Sequence, residues 1–198
     1  MSEETCMKAL LLGAVLSLAY TNGHTEIITY GSLTTDDMTN FITDTATQRQ
    51  YTRFDAFALT YAELVAATQA DEAWEGWTIA DSQAADAFIN ALLNTVSACY
   101  GPVAHGAICG MLPGWIDGSF GISLTGVTDA FMYVSTAETP GSPSEEVGYV
   151  GFHNIGSVRK FDDWASKKGT DYWTKHSQFP IQFLLYRDPF VAPTPAAF

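Results

Sequence analysis

Apolar positions recur at helical spacing through the first hundred residues and alternate at strand spacing beyond residue 120. The clearest helical stripe is Ala85, Phe88, Ile89, Leu92, Val96 and Cys99, the i, i+3, i+4 pattern that lays side chains along one face. Asp81 or Ser82 supplies its N-cap and Gly101–Pro102 its stop. Phe54, Phe57, Tyr61, Leu64 and Val65 predict a second helix over 54–69. Thr35 followed by Asp36 and Asp37, with Met38, Phe41 and Ile42 behind, predicts a third. Between the opening segment and that helix, Glu26–Tyr30 reads as a short strand ended by Gly31–Ser32.

The opening MSEETCMKALLLGAVLSLAYTNG predicts a fourth helix. Ser2 caps it, Glu3 and Glu4 sit at the positive end of the dipole, and Asn22–Gly23 end it. From Met7 onward the text resembles a secretory signal, but two glutamates stand where such a signal carries positive charge. Ala9–Tyr20 supplies twelve apolar or small residues, fewer than the about 20 that cross a bilayer. The expectation is a retained helix, apolar all round and covered by the core or by a neighbouring subunit, with Leu11, Leu12 and Val15 as candidate contacts.

Residues 101–121 are dense in Gly and Pro and predict a long connection. Strands are expected at Ile122–Thr125, Ala130–Ser135, Val147–Phe152 and Ile181–Tyr186, a short helix at Phe161–Lys168, and an exposed loop at STAETPGSPSEE. VAPTPAAF, residues 191–198, is an extended tail that cannot fold on itself, so a neighbouring subunit is its natural support, with Phe198 as a contact. Segregated helices and strands imply α+β: a helical N-terminal half of about four helices, residues 1–100, packed on an antiparallel sheet formed mainly by residues 120–190, in one domain spanning 1–198.

Composition sharpens the surface. Charged residues make up 16%, against roughly 25% in ordinary soluble domains. Residues 1–150 carry a net −15 and residues 151–198 a net +2. The acidic body excludes wrapping of nucleic-acid phosphates. Arg159, Lys160, Lys167, Lys168 and Lys175 sit among Asp162, Asp163 and Asp171 and read as a mixed solvated face, or as a patch that docks on the acidic part of another copy.

Candidate chemistry is sparse. Cys6, Cys99 and Cys109 do not make a disulfide framework. Buried reduced thiols are expected, with a Cys99–Cys109 bridge as the alternative. His105 and Cys109 have i, i+4 spacing, but Gly106 and Gly110 oppose a helix there, so no metal site is expected. Cys109 with His153 or His176 would be a nucleophile and base if the fold joined them. Gly118-Ser119-Phe120-Gly121 lacks the spacing of a serine elbow. Adjacent carboxylates at Asp36–Asp37, Glu145–Glu146 and Asp162–Asp163 point apart and read as structural. Trp74, Trp77, Trp115, Trp164 and Trp173 lie near turns. They read first as plugs at the ends of the core, while Trp74, Trp77 and Trp115 are also candidate interface anchors, and loop aromatics can make a sugar-stacking platform.

The expected function is therefore a non-enzymatic, self-assembling structural protein, such as a virion or phage shell, cement or tail subunit. Its partners would be copies of itself and other particle subunits, with no cofactor and no transmembrane segment. The alternatives are a secreted, membrane-active or toxin-like protein with a cleaved signal, and a small enzyme with a Cys/His centre.

Overall fold

The computed structural model describes residues 26–36, 38–101, 107–116, 118–121, 129–135, 146–153, 156–166, 170, 174 and 181–189. The opening helix with Leu11, Leu12 and Val15, the expected strand Ile122–Thr125, and the tail with Phe198 lie outside them.

The described chain is mainly β, in two sheets with two helices, which overturns the expected helical N-terminal half. The first sheet has the order β1 (Ile27–Tyr30), β2 (Leu33–Asp36), β3 (Phe41–Asp44), β4 (Gln50–Thr52), β11 (Leu185–Arg187), β5 (Thr78–Ile79). The second has the order β10 (Gln182–Phe183), β7 (Asp129–Val134), β8 (Glu146–His153), β9 (Ser157–Ser166), β6 (Ala107–Met111). Helix α1 is Tyr61–Ala67 and α2 is Ser82–Leu93.

Three expected helices are corrected. The third is a hairpin: β2 and β3 pair antiparallel, Thr35 against Ile42. Asp36 Oδ1 accepts from the amides of Met38 and Thr39, at 2.9 and 2.8 Å. An aspartate that can cap a helix closes a turn by the same chemistry. The helix over 54–69 shrinks to α1, whose Thr60 and Glu63 form a reciprocal capping box. Its apolar spacing came from two different cores: Phe54 enters one while Phe57 packs on the other. The helix at Phe161–Lys168 is replaced by β9, where Val158, Lys160 and Asp162 are buried on one face and Arg159 between them is exposed. Within the Gly/Pro-rich connection, β6 pairs with β9.

Other expectations hold. β1 ends at a two-residue turn, Gly31–Ser32, in which Gly31 takes a left-handed φ of 59° and lies so near the Ala91 carbonyl that a Cβ would not fit. Strands cover the expected segments near 130–135 and 147–152, and the expected Ile181–Tyr186 strand is split between β10 and β11. α2 begins after Asp81, whose Oδ1 accepts from the Ala84 amide at 2.8 Å. It ends earlier than expected, at Asn94, which adopts the left-handed conformation at φ 53°.

The two sheets share a seam. Leu184 donates its amide to the Met132 carbonyl and accepts the Ala80 amide, so residues 182–187 leave the second sheet and enter the first. Beside it, Val134 donates to the Ala80 carbonyl, and Asp81 bridges Val134. α2 therefore starts from the seam. Its Phe88, Ile89 and Leu92 fill one core with Leu33, Ile42 and Tyr51 of the first sheet and Phe131, Tyr133, Val150, Phe152 and Val158 of the second. Phe54 lies at the centre of this core, with rings of Phe88, Phe120, Phe131 and Phe152 at 5.5–6.3 Å. A second core gathers Leu64 of α1, Trp77, Met132, Val147, Phe183 and Leu185. β7 feeds both cores from its alternating faces, which is why DAFMYV reads as a nearly continuous apolar run. No helix among the described residues is long and apolar enough to cross a membrane.

Candidate functional site

The most unusual chemistry lies where α2 crosses β9. Lys160 was expected on a solvated face; its side chain is 0% exposed. β9 continues strand alternation through it, so Lys160 and Asp162, two residues apart, point to the same interior side. Asp86, on the first turns of α2, meets them from above. Lys160 Nζ donates to Asp86 Oδ1 at 2.6 Å and to the Gly101 carbonyl at 2.9 Å, and it stands 3.6 Å from Asp162 Oδ2. The Gly101 amide donates to Asp86 Oδ2 at 2.8 Å. Asp86 thus has one oxygen on the ammonium and the other on a backbone amide.

Asp162 is held in turn. Tyr133 OH donates to Asp162 Oδ1 at 2.8 Å and lies 3.0 Å from the Phe161 carbonyl, and Ser82 Oγ reaches the same Oδ1 at 3.4 Å. Tyr133 is placed by its cross-strand partner Gly148, where any Cβ would collide with the phenol ring. Burying one ammonium and two carboxylates costs several kcal/mol per ion unless attraction and hydrogen bonds compensate. All three groups here have several partners, and Lys160 additionally sits 5.8 Å from the Tyr133 ring centroid. The cluster is hidden in the sequence because charged residues ordinarily face water and Asp86 comes from a segment distant from Lys160 and Asp162. The signal available was the strand alternation Val158, Lys160, Asp162.

The expected site residues fall elsewhere. Cys109 forms a disulfide with Cys99, at a Cα–Cα distance of 4.7 Å, which corrects the expectation of reduced thiols. Cys109 is buried and bonded, so it offers no free thiol to a histidine. His24, His105 and His176 lie outside the described residues, and no group of metal-binding side chains occurs among the described ones. Trp77 and Trp115 are buried, and Trp74 packs on the second core. Trp77 stacks on Phe41 at 5.1 Å with the Arg187 guanidinium 4.7 Å from its ring centroid, and Trp115 stacks on Phe152 at 4.8 Å. These three tryptophans pack into the two cores, while the Trp164 side chain and Trp173 lie outside the described residues.

A second feature lies on the surface. β1 is an edge strand of the first sheet, and its sequence IITY has no charge and no proline. Ile27 on it and Ile116 across a cleft of about 360 Å³ are both about 70% exposed. The Tyr30 hydroxyl spans that cleft, donating to the Gly114 carbonyl at 3.0 Å and accepting the Ile116 amide at 3.1 Å.

No family model, curated protein or solved structure matches this chain.

Proposed function

We propose that this chain is a non-enzymatic structural protein that self-assembles through open sheet edges in an oxidising compartment. The observation that carries the reading is β1: among the described residues it is an edge of uncharged, β-branched sequence, with Ile27 on it and Ile116 across the cleft both exposed. An edge strand presents unpaired backbone groups, and soluble monomers blunt such edges with Lys, Pro or bulges. β1 is short, at four residues, but it carries no Lys, Pro or bulge. The disulfide supports the compartment, since such bonds persist where thiols are not kept reduced. A virion or phage particle subunit is the narrower form of the proposal, and a secreted structural protein is its other form.

Light scattering on the purified full chain at micromolar concentration tests the reading. Oligomers are expected, and closed shells or filaments favour the particle form. A stable monomer overturns assembly. Mass spectrometry without reductant, on protein recovered from its native source, tests the compartment; free Cys99 and Cys109 overturn it.

A further inference from the structure

We propose that Lys160 and Asp86 become joined by a covalent amide between Nζ and Cγ, formed inside the folded chain with Asp162 as the proton carrier. Both side chains project from regular elements, β9 and α2, 74 residues apart in sequence. The amine nitrogen stands 2.6 Å from one carboxyl oxygen, so the fold holds the nucleophile against the carboxyl group it would attack. Exposure of 0–4% on Lys160, Asp86 and Asp162 excludes the water that would otherwise reverse the bond.

Each remaining requirement of acyl transfer has a group in place. Asp162, in contact with the same nitrogen, takes a proton from the ammonium and delivers it to Asp86 Oδ1, leaving a neutral amine beside a neutral acid. The Nζ lone pair then attacks Cγ. Negative charge develops on Oδ2, where the Gly101 amide already points at 2.8 Å, the place of an oxyanion donor. Asp162 moves a second proton from Nζ to Oδ1, which departs as water as the C=O closes. The ammonium's three hydrogens are accounted for: one remains on the amide and two leave with oxygen. No oxidant or other co-reactant enters, and Asp162 ends as it began.

Two of the three buried charges vanish, and the Asp162 carboxylate that remains keeps the hydroxyls of Tyr133 and Ser82 as donors. The new N–H keeps the Gly101 carbonyl as acceptor, and the new C=O keeps the Gly101 amide as donor. Tyr133 and Ser82 act as positioning residues, since they hold Asp162 rather than the reacting atoms. The bond would tie α2 to β9 next to the place where the disulfide ties residue 99 to β6.

Intact-mass measurement of the full chain, reduced and denatured, tests the proposal. The expected mass is lighter than that of the sequence by one water. Chymotryptic digestion should yield a branched peptide whose fragments place the junction at Lys160 and Asp86. Separate peptides carrying an unmodified Lys160 and Asp86 overturn the bond. Lys160→Arg keeps the positive charge without the attacking amine, so it should recover the missing water; a persisting deficit in that variant overturns the assignment. Asp162→Asn should leave unlinked protein to accumulate, with bond formation slowed roughly a hundredfold or more. Complete linkage in that variant overturns the proton-carrier role.

Discussion

Tyr51 shows how one buried group sets a pH limit. It is 1% exposed in the main core, and burial pushes its phenol up to about 12, against an opposing pull from nearby Arg49. The folded state therefore holds the Tyr51 proton more tightly than the unfolded chain does. Stability is intact below the unfolded value of 10.0 and falls as pH rises from there toward about 12. The loss amounts to about 2–3 kcal/mol across that interval, at about 1.4 kcal/mol per pH unit. Urea unfolding at a series of alkaline pH values should show this fall, and Tyr51→Phe should flatten it. Phe54 is the corresponding case for packing. With four aromatic neighbours around it, Phe54→Ala should lower unfolding free energy by about 3–5 kcal/mol, read as a lower urea midpoint at unchanged slope. At this scale the sequence was only partly legible. Asp81 as a cap and Gly31 as a turn were readable because local chemistry decides them. Lys160, Asp86 and Asp162 were not, because their partners come from distant segments and a single sequence shows charge without its compensation.

At the scale of elements, legibility followed the number of surfaces an element serves. α2 presents its large apolar side chains to one core, so its stripe was clear and its start was correct. Residues 54–69 serve two cores, and the superposed contacts imitated a longer helix. β2–β3 and β9 carry polar residues on inward faces, Thr35, Asp44, Lys160 and Asp162 among them, which hid their period of two. The disulfide is an element-scale staple that composition alone did not reveal. It closes a loop of sequence separation 10 between the C-terminal side of α2 and β6. By loop-closure entropy such a bridge stabilises by about 2–3 kcal/mol. Replacing both cysteines by serine should therefore lower the urea midpoint by an amount corresponding to about 2–3 kcal/mol. An unchanged midpoint would mean that the bridge constrains nothing the fold has not already fixed.

At the scale of the whole molecule, two forces act on association, and salt separates them. The chain carries a formal net charge of −13, so copies repel at long range. Apolar edge pairing through β1 must overcome that repulsion, and screening weakens it over a Debye length of about 10 Å at 0.1 M salt. If β1, with Ile27 and Ile116, is the contact, oligomers should grow in size or population as salt is raised. If instead the C-terminal basic residues dock on the acidic body of another copy, salt should dissolve the oligomers. The structure bears on the second route, because Lys160, one of those basic residues, is buried inside its own chain and cannot take part. Ile27→Lys supplies the independent check. At 70% exposure its side chain contributes little to the fold, so the variant should unfold at nearly the same urea concentration as the parent. The new charge would nevertheless blunt the edge as natural edge lysines do. Sedimentation velocity across a salt series should then find the parent chain increasingly assembled and Ile27→Lys monomeric throughout. A variant that assembles as the parent does would place the contact on another surface.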